Sequence, residues 1–136
     1  MTQKTYKLIS LGLAIVFGMV GLVFLFMSAE VLSFFNGLSR AVGMQEAPSV
    51  SHKFYVVLAA AYMYLVTLLA SLMYLHPDNP AYPLLLFNGK TASSALSILF
   101  FVLDKPLLVY LTNGIVDGLI GVLVIAMYRS IRRVPR

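Results

Sequence analysis

Four stretches of this chain run for about twenty residues each with no charge or a single one, and they constrain the fold more than any other feature. They are Leu8–Met27, Phe54–Leu75, Tyr82–Leu103 and Pro106–Tyr128; the first two carry no charge, the third only Lys90 and the fourth only Asp117. A helix of that length crosses a hydrocarbon core about 30 Å thick. Lipid offers no hydrogen-bond partners to open backbone groups, so a helix is the economical way to cross it. The rest of the composition agrees. Of 136 residues, 60% are hydrophobic and 11% charged, with a mean hydropathy of +0.90. Soluble domains hold about 45–50% apolar and about 25% charged residues, and disordered chains are poorer in apolar residues still. Both classes are excluded.

Composition also removes chemistries. There is no cysteine, which excludes thiol redox work, iron–sulfur ligation, covalent haem attachment and disulfides. The two histidines, His52 and His76, fall at opposite ends of the second block, about 36 Å apart at 1.5 Å per residue. They cannot share one haem within a protomer, and a four-ligand zinc site is excluded. His76 as a single axial ligand to a pigment or haem held by a neighbouring subunit stays open, beside the simpler reading of a residue that closes a helix. No phosphate-binding Gly-rich loop, nucleophile elbow or H-E-x-x-H pattern is present. The net charge of +5 sits mostly at the two chain ends, where it suits anionic lipid headgroups and not nucleic acid.

These features predict an all-α fold: a single domain over residues 1–136, a four-helix transmembrane bundle with helices at about 8–27, 54–75, 82–103 and 106–128. The first block exceeds the ~7–15 apolar residues of a signal-peptide core, so it reads as a span. The breakers His76-Pro77-Asp78-Asn79-Pro80 and Asp104-Lys105-Pro106 are short connectors, making helices two, three and four consecutive antiparallel neighbours. Pro83 and Pro106 are expected in first turns, where a missing N–H costs nothing. Six basic residues lie in the tails (Lys4, Lys7, Arg129, Arg132, Arg133, Arg136) against three in the opposite loops (Arg40, Lys53, Lys105). The bias puts both termini in the cytoplasm, and the expected location is a bacterial inner membrane. Tyr6, Tyr55, Tyr74, Tyr82 and Tyr128 are placed near the interfaces, where a phenol keeps its ring dry and its hydroxyl wet. Between helices one and two, Val31, Leu32, Phe34, Phe35, Leu38 and Val42 recur at helical spacing. That pattern predicts an amphipathic surface helix at about 29–42, either a simple cap or a cover over a lipid-accessible pocket.

The two intramembrane charges should meet. Lys90 lies 14 residues before Asp104, and Asp117 lies 12 after Lys105. Folded about that turn, they differ in depth by about 3 Å. A charge in mid-bilayer is usually paired or faces a wet cavity. Polar residues gather on the same faces: Ser93, Ser94 and Ser97 with Lys90 on helix three, and Tyr110 and Asn113 with Asp117 on helix four, flanked by Asn88, Thr91 and Thr112. Three readings fit this strip. One is a structural pair that fixes the hairpin register. Another is a pocket for a quinone or lipid head group, with Asn113, Ser94 and Tyr110 as donors. The last is an ion- or proton-handling site with Asp117 as carrier and Lys90 beside it, in an oligomer large enough to enclose a path. Gly114, Gly118 and Gly121 form a small-residue face that allows close helix approach, within the bundle or against another subunit.

The plan resembles the DoxX-like group of small four-helix membrane proteins. The resemblance rests on an apolar first helix, the segment Ser28-Ala-Glu-Val-Leu-Ser-Phe-Phe, three closely spaced helices, and Val116-Asp117-Gly118 in the last. It implies a membrane subunit beside a redox enzyme and supplies no catalytic residue. The resulting expectation is a non-enzymatic accessory subunit of a larger membrane complex, respiratory or photosynthetic. It has no cofactor of its own, and lipid, quinone or a partner's pigment is its candidate ligand. Membrane lipids, other membrane subunits or further copies of itself are its expected partners. The alternative is a small oligomeric ligand-binding or proton-coupled carrier built on Lys90 and Asp117.

Overall fold

In a computed structural model the chain is described over residues 1–48 and 52–132, without the side chains of residues 52–54. Arg133 and Arg136 of the basic tail, and the side chains of His52 and Lys53, lie outside the described residues. The described residues form five helices and no strand: α1 (Gln3–Phe26), α2 (Ser28–Ala41), α3 (His52–Leu75), α4 (Ala81–Leu103) and α5 (Leu108–Arg132). All but α2 are long and apolar enough to cross a membrane.

Local chemistry sets the ends. Thr2 Oγ1 accepts the Thr5 N–H at 3.2 Å, an N-cap that starts α1 five residues before its apolar block. Asn79 Oδ1 accepts the Ala81 N–H at 3.0 Å in a turn just ahead of α4, whose N-cap is Pro80 and whose first turn holds Pro83. Pro106 departs from expectation. The N–H groups of Asp104 and Lys105 both reach Phe100 O, and that of Leu107 reaches Lys105 O at 2.7 Å. The reversal consumes residues 104–107, so Pro106 serves the turn and α5 begins two residues later.

Each long helix buries one narrow stripe at three- and four-residue spacing. The stripe is Tyr6, Ser10, Ala14 and Phe17 in α1, and Gly114, Asp117, Gly121, Val124 and Met127 in α5. Met63, Val66, Ala70 and Met73 do the same in α3, and Pro83, Leu86 and Lys90 in α4. Tyr6 is turned into this core and is 1% exposed. The outward faces are apolar as well: Phe26 is 75% exposed and Leu119 66%. This is a surface built for hydrocarbon, since in water it would cost about 25 cal/mol per Å². Hydroxyls on the helices return to their own backbone, as Ser10 Oγ does to Tyr6 O at 2.9 Å and Thr67 Oγ1 to Met63 O at 2.6 Å.

The helices pack as two close pairs, α1 with α3 and α4 with α5, joined by a thinner α3–α4 contact. The consecutive helices α3 and α4 do touch, but α3 has its main partner in α1. The buried core (Tyr6, Ala14, Phe17, Met63, Val66, Ala70, Met73, Leu86, Val124, Met127) lies toward the chain termini. At the opposite end the bundle is looser, and α2 sits there against α1 and α5. A clamp holds the segment after α2: Asn36 Nδ2 donates to Ala47 O at 3.0 Å, and the Ala47 N–H donates to Asn36 Oδ1 at 2.8 Å. Gly43, with φ 71°, makes the turn between them in a region open to glycine.

Candidate functional site

Lys90 and Asp117 face each other midway along α4 and α5, where the close-packed half of the bundle gives way to the looser half. Lys90 Nζ donates to Asp117 Oδ1 at 2.7 Å, and both side chains are at least nine-tenths buried. The glycines of α5 allow this approach. A Cβ at Gly114 would meet Ile98 Cδ1 at 2.6 Å, one at Gly118 would meet Ser94 Oγ at 3.0 Å, and one at Gly121 would meet Thr91 Oγ1 at 3.4 Å. All three therefore face α4 of the same chain. The small-residue face is used inside the bundle.

The environment of the pair is lopsided. The ammonium has the Asp117 oxygen on one side and two ring faces besides, Phe17 at 4.8 Å and Tyr62 at 5.0 Å from the ring centroids. Both lie within cation–π range, and desolvation strengthens such contacts. The carboxylate has less. Asp117 Oδ2 is buried with no hydrogen-bond partner. A buried polar atom left in that state costs about 1–3 kcal/mol, more for a charged group.

A cavity of about 420 Å³ opens directly over the pair. Its polar floor is Lys90, Asp117, Tyr62, Ser93, Asn113 and Thr112. Its walls are apolar, with Val20 and Phe24 of α1, Ala59 of α3 and Val109 of α5. Val31 and Phe35 of α2 close its far end, where a second hollow of about 200 Å³ shares Phe24, Val31, Phe35, Ala59 and Val109. The space is therefore a slot with a polar base and greasy sides, the usual character of a small-molecule site.

The other residues of the strip separate into two groups. Asn113 Nδ2 donates to Ser97 Oγ at 2.7 Å and to Ser93 Oγ at 3.2 Å, and Ser94 Oγ donates to Gly114 O at 2.6 Å. These bonds tie α4 to α5 beside the pair. Asn88 and Tyr110 lie elsewhere. Asn88 Nδ2 donates back to Leu84 O at 2.8 Å on an exposed face. Tyr110 packs its ring against Phe100 at 5.9 Å. Tyr110 was expected in the strip by helical spacing and lies one turn closer to the connector than Asn113; Asn88, expected to flank the strip, is on an exposed face. Phe17 and Tyr62 were missed. The signal for Tyr62 was its depth: a tyrosine in the middle of an apolar span is outside the interfacial belt where the residue is usual. Phe17 gave none. Comparison with models of protein families, with curated proteins and with solved structures finds no match for this chain.

Proposed function

We propose that this chain is an integral membrane protein that binds a small hydrophobic molecule in the slot above Lys90 and Asp117. The observation that carries the reading is the 420 Å³ cavity placed against a buried ion pair. A pair needed only to lock the hairpin would sit in close packing on all sides. This one fronts open space lined by all four long helices and by α2. Its net charge is zero, so it tolerates an apolar surrounding while offering polar groups to a ligand. The accessory-subunit reading drew in part on small-residue helix faces, and the one on α5 is occupied by α4. A binding role, with lipid or quinone as candidate ligand classes, takes precedence over it.

The arrangement in the membrane follows the charge bias: both termini cytoplasmic, α2 lying amphipathic on the outer surface as a cover, in a bacterial inner membrane. Glu30 in the first turn and Arg40 in the last turn of α2 complement its dipole.

The test is extraction in mild detergent followed by native mass spectrometry and an absorption spectrum. The expected result is a colourless particle of this chain carrying a bound small molecule. Ala59 lines both hollows, so Ala59→Phe should fill the slot and strip that mass from a folded protein. Recovery only within a large pigmented or haem-bearing assembly, with no mass retained by the chain itself, would restore the accessory-subunit reading.

A further inference from the structure

Resting on that binding role, the walls of the slot say how its ligand arrives and which part of it enters. The polar atoms of the base are sealed or engaged. Asp117 Oδ2 is fully buried, and so is the Tyr62 hydroxyl, which sits beside Ser93. The ammonium of Lys90 is covered by a carboxylate oxygen and two aromatic faces. Asn113 gives its amide hydrogens to Ser93 and Ser97. What remains to face the space is mainly the hydrocarbon of Phe17, Val20, Phe24, Met63, Val109 and Ile120.

The same walls show where the slot opens. Val16, Val20 and Val116 line it and are nevertheless 53%, 36% and 47% exposed. They stand at a mouth, one side to the cavity and the other to the bilayer. The mouth lies between α1 and α5, which touch only sparsely, and α2 rests on both of them at one end. Counted from the ends of α1 and α5 nearest α2, Val16 and Val116 are about 15 Å and about 12 Å down at 1.5 Å per residue. That is about the hydrocarbon depth of one leaflet, half of a ~30 Å core.

We infer that the slot is a lateral chain-binding site: the end of one acyl chain of a membrane lipid, from the leaflet on the α2 side, passes between α1 and α5 and packs against Phe17 and Met63, while its head group stays at the membrane surface. A charged head would have to leave that surface for the middle of the bilayer, where charge is costly. A quinone ring would bring carbonyls that need donors, and the ammonium and amide hydrogens of the base are already committed. A chain end asks for no hydrogen bond. It supplies the dispersion contacts that the apolar walls forfeit against empty space.

The experiment uses the full chain in nanodiscs containing a phosphatidylcholine with a photoreactive diazirine, placed at the end of one acyl chain or, in a second probe, next to the glycerol. Crosslinked residues are identified by mass spectrometry. Phe17 and Met63 are 2% and 7% exposed, so label there reports the slot, and Leu119 at 66% is the lipid-facing control. The chain-end probe should label all three, and the glycerol-proximal probe should miss Phe17 and Met63. Val16→Trp combined with Val116→Trp crowds the mouth at positions that already face lipid. It should lower labelling of Phe17 and Met63 by about tenfold, equivalent to losing burial of about two methylenes, and leave Leu119 and the thermal melt as they were. Stronger labelling of Phe17 and Met63 by the glycerol-proximal probe would show that the head enters, and would overturn the inference. So would labelling that survives the tryptophan pair and disappears in Ala59→Phe, since the chain would then enter past α2. So would an unlabelled slot in a protein that still carries a bound mass stripped by Ala59→Phe. In those three cases the ligand slot stands. No label at Phe17 or Met63 from either probe, with Ala59→Phe indistinguishable from the parent by native mass, overturns the binding role itself.

Discussion

At the residue scale, the Lys90–Asp117 pair behaves as one unit. Removing either partner leaves a charge stranded nine-tenths buried, which costs about 3–5 kcal/mol. Removing both leaves an apolar seam. Lys90→Met and Asp117→Leu should therefore each lower stability by that amount in denaturant titrations in detergent micelles, and the double variant should lose less than either. A double variant weaker than both singles would mean that the residues act independently. The pairing was legible in the sequence because depth in an antiparallel hairpin follows from counting residues outward from a turn. The surroundings of the pair were not. Phe17 and Tyr62 come from α1 and α3, and which faces those helices present to α4 depends on packing between elements distant in sequence. Tyr110 shows a different limit: helical spacing marks a face, and on that face its ring meets Phe100 of α4 and not the ion pair.

At the element scale, the α4–α5 seam depends on glycine. A methyl at Gly114 would press on Ile98 Cδ1 at 2.6 Å, so Gly114→Ala should cost about 1–3 kcal/mol through overpacking. Adding Ile98→Val removes the offending atom and should recover part of the loss, which thermal melts of the single and double variants would read. The α2 segment is held differently, by the two hydrogen bonds from Asn36 to Ala47. Asn36→Ala should weaken that clamp by about 1–2 kcal/mol, and hydrogen exchange at the Ala47 amide should quicken while exchange in α5 stays as it was. A slowed or unchanged Ala47 would show that the segment is held by something else. The apolar blocks announced the four long helices, and the spacing of Val31, Leu32 and Phe35 announced α2. The start of α5 was misplaced because Pro106 suits a tight reversal as well as it suits a first turn.

At the scale of the whole molecule, the two helix pairs are well packed toward the termini and part toward α2, and the slot occupies the gap. The orientation of that gap is open to a direct measurement, since the chain has no cysteine of its own. Single cysteines at Thr2, Gln45 and Ser130 should divide in labelling by an impermeant maleimide on intact spheroplasts: Gln45→Cys reacts, while Thr2→Cys and Ser130→Cys react only after permeabilisation. The reverse pattern would turn the molecule over and place α2 and its end of the slot on the cytoplasmic side. The pairing of α1 with α3 was beyond reading from sequence, because α2 and the connector after it allow α1 several neighbours.

The tight reversal at residues 104–107 also bears on how the protein enters the bilayer. Of the four spanning helices, α4 is the least apolar, and alone it would bring an uncompensated ammonium into hydrocarbon at about 2.5–3.5 kcal/mol. Its counter-ion arrives 27 residues later in the nascent chain, in the next helix. The two halves of the hairpin are therefore suited to leave the translocation machinery together, as a neutral salt already formed. A chain stopped after Lys105 should leave α4 stranded at the membrane surface, and one extended through Arg132 should bury it.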